Sequence, residues 1–348
     1  MTATTRAVVV HAPHDLRVEA TSVSEPGPGQ VLVAVEAGGI CGSDLHYFHD
    51  GGFGTVRIRE PMILGHEVAG RVEALGAGVR EFSLGQRVAL SPSNPCGHCR
   101  YCQLGLQQHC LDMRFYGSAM RFPHVQGAFR DLIVADAHQC HAVVDGLSAG
   151  EAAMAEPLAV CLHAVRRAGP LLGKRVLVTG SGPIGALAAI AARRAGAAEI
   201  VTTDVAEAPL EVMRGLGVEQ ALNVATAPDA LAAFTADKGH FDVLFEASGN
   251  ERALTGALAA LRPAAVIVQI GIGSAMTLPM NVVVAKEFDL RGTFRFHEEF
   301  GLAVALMSKR LVDVKPLISA TLPAARAVEA FNLASDRTKA MKVQLAFR

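Results

Sequence analysis

The run Arg175-Val-Leu-Val-Thr179 passes directly into Gly180-Ser-Gly182-Pro-Ile-Gly185 and then into an Ala-rich segment that closes on Arg193-Arg194. A β-branched strand, a three-glycine turn and a helix in that order leave the chain few folds to choose from. Gly180 permits the tight turn, Gly182 lets the backbone approach a bound group, and Gly185 lets the helix pack closely on the sheet. Pro183 opens the helix at no cost, because its missing N–H would have had no partner there. With Ile184 it forms a helix start whose free N–H groups and positive dipole end face an anion. This context predicts a dinucleotide site rather than an ordinary turn.

The residues that follow extend the prediction. Short apolar runs at 200–203, 242–246 and 265–270 alternate with helical segments, as in an α/β fold whose parallel sheet is covered by helices on both faces. Asp204 ends the first of these strands, at the spacing of an acid that accepts hydrogen bonds from ribose hydroxyls and repels a 2′-phosphate. No Lys or Arg follows it until Arg214, so the expected cofactor is NAD rather than NADP. The turn Ile270-Gly271-Ile272-Gly273 is expected to run past the nicotinamide.

The 348 residues exceed one ordinary core. The first part is β-rich, with strands expected at 31–35, 68–75, 86–90 and 129–135. A long helical stretch from Ala152 to about Ala168 leads into the glycine loop, and the chain ends in a helix at 298–309 and a strand at 343–347. The arrangement reads as a nucleotide-binding domain, 156–292, inserted between two pieces of a β-rich domain, 1–155 and 293–348.

Five of the seven cysteines stand with metal-ligand spacing or company. Cys96, Cys99 and Cys102 are spaced by two residues each, and Cys110 lies seven further on; four thiolates from one loop surround Zn²⁺ tetrahedrally and leave no open position. Such a site holds a lobe together and does no chemistry. A second, dispersed set is Cys41, His66, Glu67 and Glu156. One thiolate, one imidazole and one or two carboxylates plus water make an open, catalytic zinc site. Singly each residue has a plain structural explanation; the case rests on their joint occurrence beside a nucleotide domain. Which carboxylate is the ligand stays open.

Taken together these motifs resemble the zinc-dependent medium-chain alcohol dehydrogenase superfamily along essentially the whole chain. Within it they are most similar to the polyol branch, and there to the bacterial L-idonate 5-dehydrogenases. The resemblance is carried by the runs Ile40-Cys41-Gly-Ser43-Asp-Leu-His46-Tyr47, Asp112-Met-Arg114-Phe115 to Arg121-Phe-Pro-His124, and Thr293-Phe294-Arg295. It implies a Rossmann domain inserted into a GroES-like catalytic domain, one catalytic and one structural zinc, and NAD. It also implies that Ser43 accepts the alcohol proton, which passes through the nicotinamide ribose to His46, with Glu156 acting on the zinc-bound water or as a ligand. Thr293, Phe294 and Arg295 would face the cofactor, while Tyr47, Phe115 and Arg295 would line the substrate. Arg114 and Arg121 are candidates for pairing with a sugar-acid carboxylate. The expected reaction is L-idonate to 5-keto-D-gluconate, with a general sorbitol or xylitol dehydrogenase as the alternative. A homotetramer or homodimer is the family habit.

Other classes fit poorly. A zinc-free quinone reductase would keep the glycine loop without needing either cysteine set, and a non-enzymatic nucleotide-binding protein would need no open metal site. The formal net charge of −1 gives no electrostatic reason to expect nucleic acid or an anionic membrane as partner. The start of the chain has no basic stretch followed by an apolar one, so the cytoplasm is the expected address.

Overall fold

A computed structural model of the protein describes residues 2–347. The chain divides into two compact units: 1–156 with 297–336 and 342–348, and 157–296 with 337–341.

The first unit is built on a seven-stranded sheet. Its path runs Cys140–Ala142, Arg87–Leu90, Glu67–Leu75, Gln30–Gly39, Lys342–Ala346 and Ile318–Pro323, with Leu132–Asp136 also paired to Gln30–Gly39. Gln30–Gly39 is rich in Val and Ala and sits at the centre, with Val31, Val33 and Val35 fully buried. Its last residue, Gly39, pairs with Glu67 on one side and Gln344 on the other. That register gathers segments far apart in sequence at one end of the sheet. A Cβ on Gly39 would stand 2.2 Å from a Glu67 carboxylate oxygen, so only glycine allows this approach.

The second unit holds six parallel strands. In space they run Gln220–Asn223, Glu199–Asp204, Arg175–Thr179, Phe241–Glu246, Leu261–Gln269, Asp289–Gly292. Numbered along the chain this is the third, second, first, fourth, fifth and sixth strand, the doubly wound Rossmann order, which reverses direction between Arg175–Thr179 and Phe241–Glu246. Leu177, Val201, Leu244 and Ile267, one from each of four adjacent strands, are buried in one apolar cluster with Leu254 and Leu258. Burial of each such side chain contributes about 1.5–3 kcal/mol.

The helix Pro183–Arg194 follows the glycine loop with proline in its first turn and Arg193 and Arg194 in its last, where cations oppose the dipole. Ala186, Ala188, Ala189, Ala191 and Ala192 are all buried, and their small size lets the helix lie close on the sheet. No helix among the described residues is long and apolar enough to cross a membrane.

Candidate functional site

Cys41 caps the helix Gly42–Asp50. Asp44, in the first turn and fully buried, accepts the Cys41 N–H at 3.0 Å through one oxygen and the Gly65 N–H at 3.1 Å through the other. The second oxygen also lies 3.7 Å from His66 Nδ1, which has no hydrogen-bond partner of its own. One carboxylate thus fixes the cap and the neighbouring turn, and its contact with Nδ1 leaves Nε2 as the imidazole's ligand atom. The ring also packs against Phe115, with centroids 5.6 Å apart.

The ligand atoms of Cys41, His66 and Glu67 all lie within 4.8 Å of one another. Glu67 Oε1 accepts a hydrogen bond from Lys342 Nζ at 2.7 Å, and Oε2 lies 2.5 Å from the same nitrogen, outside hydrogen-bond geometry. Lys342 Nζ also donates to the Ile40 carbonyl at 3.0 Å. Lys342 is 3% exposed; burial alone would lower its pKa, yet Glu67 and Cys41 hold it above the ordinary lysine value. Glu156, in the first turn of the helix Ala155–Ala168, is buried and is not among the three residues whose ligand atoms gather. Burial pushes its pKa up to about 8, with His66 opposing and Glu67 and Cys41 adding to the rise. The Cys41 thiol is pushed up to about 12, chiefly by burial and then by Glu67, against the pull of Lys342. A half-buried cysteine, a buried imidazole and two buried carboxylates with only one ammonium among them suit a dication.

Sγ of Cys99 lies 3.6 Å from that of Cys102 and 3.9 Å from that of Cys110, and Cys96 completes the group. Four sulfurs each about 2.3 Å from a central Zn²⁺ would be about 3.8 Å apart. The N–H groups of Cys96 and Asp112 point at Cys110 Sγ at 3.2 and 3.3 Å and temper the negative charge. Arg100 turns away and lies over the Tyr101 ring.

In the second unit the glycines occupy the positions a dinucleotide requires. Gly180 has φ +86°, and a Cβ there would strike Ser248; a Cβ on Gly185 would stand 1.8 Å from the Gly180 carbonyl. A Cβ on Gly182 would meet nothing, so the space before the helix N-terminus is open. Pro183 and Ile184 are half-buried beside it. Asp204 does not cap the next helix. Its Oδ2 accepts the Ser181 N–H at 2.7 Å and its Oδ1 the Val205 and Ala206 N–H groups at 2.7 and 2.9 Å, which stations the carboxylate against the glycine loop. Ile270 is buried, Gly271 half-buried and Ile272 exposed in the turn after Leu261–Gln269, and the Thr293 N–H donates to the Gln269 carbonyl at 3.2 Å. Arg295 lies over the Phe294 ring at 4.9 Å.

The remaining expected residues fall out unevenly. Ser43 and His46 lie one turn apart on the helix Gly42–Asp50, and His46, 53% exposed, has Nδ1 3.3 Å from Asp50. Tyr47 is fully buried, and its hydroxyl accepts the Ala119 N–H at 3.0 Å, so it braces the 118–120 segment. Arg121 is held by Asp112 at 2.5 Å, while Arg114 is exposed with no ion pair among the described residues. Two residues at these sites were not singled out from sequence: Asp44 and Lys342. Asp44 lies inside the recognised Cys41–His46 run; Lys342 has no local signature and becomes visible only through strand register.

Known proteins bear on this geometry. Residues 27–145 match the family described as alcohol dehydrogenase GroES-like domain, and residues 183–309 that described as zinc-binding dehydrogenase. The chain is 44% identical over 317 residues to L-idonate 5-dehydrogenase (NAD(P)(+)) of Escherichia coli, covering 91% of each. It is 34% identical over 336 residues to human sorbitol dehydrogenase, covering 93% of this chain and 91% of that one. The crystal structure of the E. coli L-idonate 5-dehydrogenase superposes with a TM-score of 0.95 at 42% identity, over 100% of this chain and 99% of that one. Bacillus subtilis 2R,3R-butanediol dehydrogenase superposes at 0.89 with 26% identity, covering 99% of this chain and 100% of that one. With its doubly wound sheet, its four-cysteine lobe and its Cys–His–Glu cluster, the chain belongs to the zinc-binding dehydrogenase family.

Proposed function

We propose that the protein oxidises a secondary alcohol of a sugar acid, L-idonate to 5-keto-D-gluconate, with NAD as hydride acceptor and two zinc ions per chain, one catalytic and one structural. The observation that carries the reading is the Cys41–His66–Glu67 cluster, in a chain similar throughout to an L-idonate 5-dehydrogenase. Cys41, His66 and one of the two glutamates would hold the catalytic zinc; Cys96, Cys99, Cys102 and Cys110 would hold the structural one. Zinc supplies Lewis acidity to an alcohol oxygen and NAD supplies the hydride acceptor.

The chain's own residues do the rest. Asp44 orients the imidazole and the cap at Cys41. Lys342 holds Glu67 and balances part of the site's charge. Ser43 Oγ receives the proton of the alcohol, and His46, one turn on and exposed, delivers it to solvent. Phe115 walls the imidazole with an apolar ring, which excludes water on that side. Asp204, with one oxygen turned to the glycine loop and no cation following until Arg214, supports NAD over NADP. Of the arginines offered for the carboxylate, Arg114 alone has no ion pair or ring contact, and so is the preferred one. We further propose a homotetramer or homodimer, a cytoplasmic location, and functional domains at 1–155 with 293–348 and at 156–292.

A neutral-polyol reading has an observation on its side: Arg121 is paired with Asp112, and Arg295 lies over Phe294. The test is a panel of idonate, sorbitol and xylitol with NAD and NADP at fixed ionic strength. Idonate with NAD should give the highest kcat/KM, and Arg114→Met should lower it for idonate by about tenfold or more while sparing sorbitol. A tenfold preference for a neutral polyol would move the protein to the general polyol dehydrogenases, and a higher kcat/KM with NADP would overturn the cofactor assignment.

A further inference from the structure

We propose that Glu246 is the positioning residue of the cofactor site, tying the loops after three parallel strands into one rim that fixes where the nicotinamide end rests. The proposal rests on the NAD-dependent reading above. Glu246 ends the strand Phe241–Glu246; its ladder partners are Thr179, the last residue of Arg175–Thr179, and Gln269, the last of Leu261–Gln269. Strand order reverses between the first two of these strands, and ligands of doubly wound sheets bind outside the carboxyl ends at that point.

The side chain is fully buried, and its carboxylate is held by neutral donors. Oε1 accepts the Ser248 N–H at 2.8 Å, the Ser248 hydroxyl, and the Thr179 hydroxyl at 3.4 Å. Oε2 accepts the Gly249 N–H at 3.0 Å and the Gln269 side-chain amide. The Glu246 carbonyl accepts the N–H groups of Ile270 and Gly271, both at 2.8 Å, and the Gln269 amide also donates to the Gly271 carbonyl at 2.9 Å. One residue therefore grips the 248–249 loop and the 270–271 turn at once.

Those segments also touch backbone to backbone. A Cβ on Gly271 would stand 2.2 Å from the Gly249 nitrogen, and one on Gly273 would stand 1.9 Å from the Gly249 carbonyl. Two loops this close move together or not at all, and Glu246 is their common anchor. A core acid serving stability alone would not need to sit at the carboxyl end of its strand and accept from donors on two separate connections. Glutamine has the same shape with one acceptor oxygen, and whichever way its NH₂ faces it meets a donor of the 248–249 loop, while its main-chain carbonyl keeps the 270–271 turn; it therefore loosens the first segment against the second.

The test uses full-length Glu246→Gln, with binding of NADH and of ADP-ribose measured by titration and hydrogen exchange followed across 247–250 and 270–273. NADH should weaken about tenfold while ADP-ribose, which lacks the nicotinamide, stays within about threefold, and exchange should rise across 247–250 more than across 270–273. Unchanged NADH binding, or equal weakening of both ligands, would overturn the proposal. If Glu246→Gln does not fold, Gln269→Met removes the amide that joins Glu246 to the Gly271 carbonyl and should show the same split at about threefold; parallel or absent changes there overturn it equally. Failure of the wild-type protein to bind NADH would sink the cofactor reading instead, leaving the hydrogen-exchange comparison to judge Glu246 as an anchor.

Discussion

Cys41 serves two purposes with one side chain. It caps a helix, and its thiol sits where burial and Glu67 resist ionisation until a cation arrives. Removing the sulfur should therefore cost the metal and leave the fold. Cys41→Ser is expected to retain about one zinc per chain, in the four-cysteine lobe, and to lose turnover. Metal analysis alongside a rate assay reads this directly; two ions with full activity would reject the ligand assignment. The ligand candidates were legible in sequence because each carries its own chemistry: a Cys beside Gly-Ser-Asp, a His-Glu pair after glycine, a Glu before proline. Asp44 and Lys342 were not, since an aspartate in a first turn and a lysine at a strand start look ordinary. Their roles come from what the sheet brings near them.

At the scale of elements, the strands with strong apolar runs were readable and those without were not. The hairpin Thr2–Ala12 and Asp15–Ser24 escaped because polar and charged residues dilute its pattern and its turn is Pro13-His14, with His14 at φ +61°, in place of a glycine turn. Gln220–Asn223 and Asp289–Gly292 lie at the sheet edges and are largely unburied, so nothing selects apolar residues there. The single long helix expected from Ala152 is two, Ala149–Ala153 and Ala155–Ala168; the first starts at a Ser148–Glu151 capping box that the Ala-rich reading overlooked.

One inter-element clamp carries a pH dependence. Asp242, at the start of its strand, accepts the Arg175 N–H at 2.8 Å and Arg262 Nε at 2.5 Å. Burial alone would raise its pKa, but those partners together hold it below the ordinary value of 3.8. A depressed carboxyl stabilises the fold above its unfolded pKa and loses that contribution as pH falls through the folded one. Asp242→Asn should thus cost about 1.5–3 kcal/mol near neutrality, and the gap to wild type should shrink below about pH 4. Urea titrations at several pH values measure it; a gap that widens in acid would mean the clamp is misassigned.

For the whole molecule, the four-cysteine lobe and the Cys–His–Glu cluster both lie in the first unit yet have separable consequences. Cys99→Ser opens a closed site with no open position for substrate. It should lower the melting temperature by about 5 °C or more and leave the second zinc in place. Calorimetry with metal analysis separates this from the Cys41 variant, and equal loss of both ions would show that the sites are not independent. The doubly wound order was legible from the glycine loop and the alternation after it, whereas the seven-stranded sheet was not, because its pairings join distant segments.

Lys342 donates to the carbonyl of Ile40 across 302 positions of chain. On a ribosome, Cys41, His66 and Glu67 emerge well before their ammonium partner and wait for it until synthesis has passed Lys342. The strand Lys342–Ala346 that carries it also closes the path of the sheet between Gln30–Gly39 and Ile318–Pro323. Completion of that sheet and neutralisation of Glu67 are therefore a single event, so a nascent chain stalled before Lys342 would hold the thiol and imidazole of the proposed zinc site with a carboxylate still unbalanced.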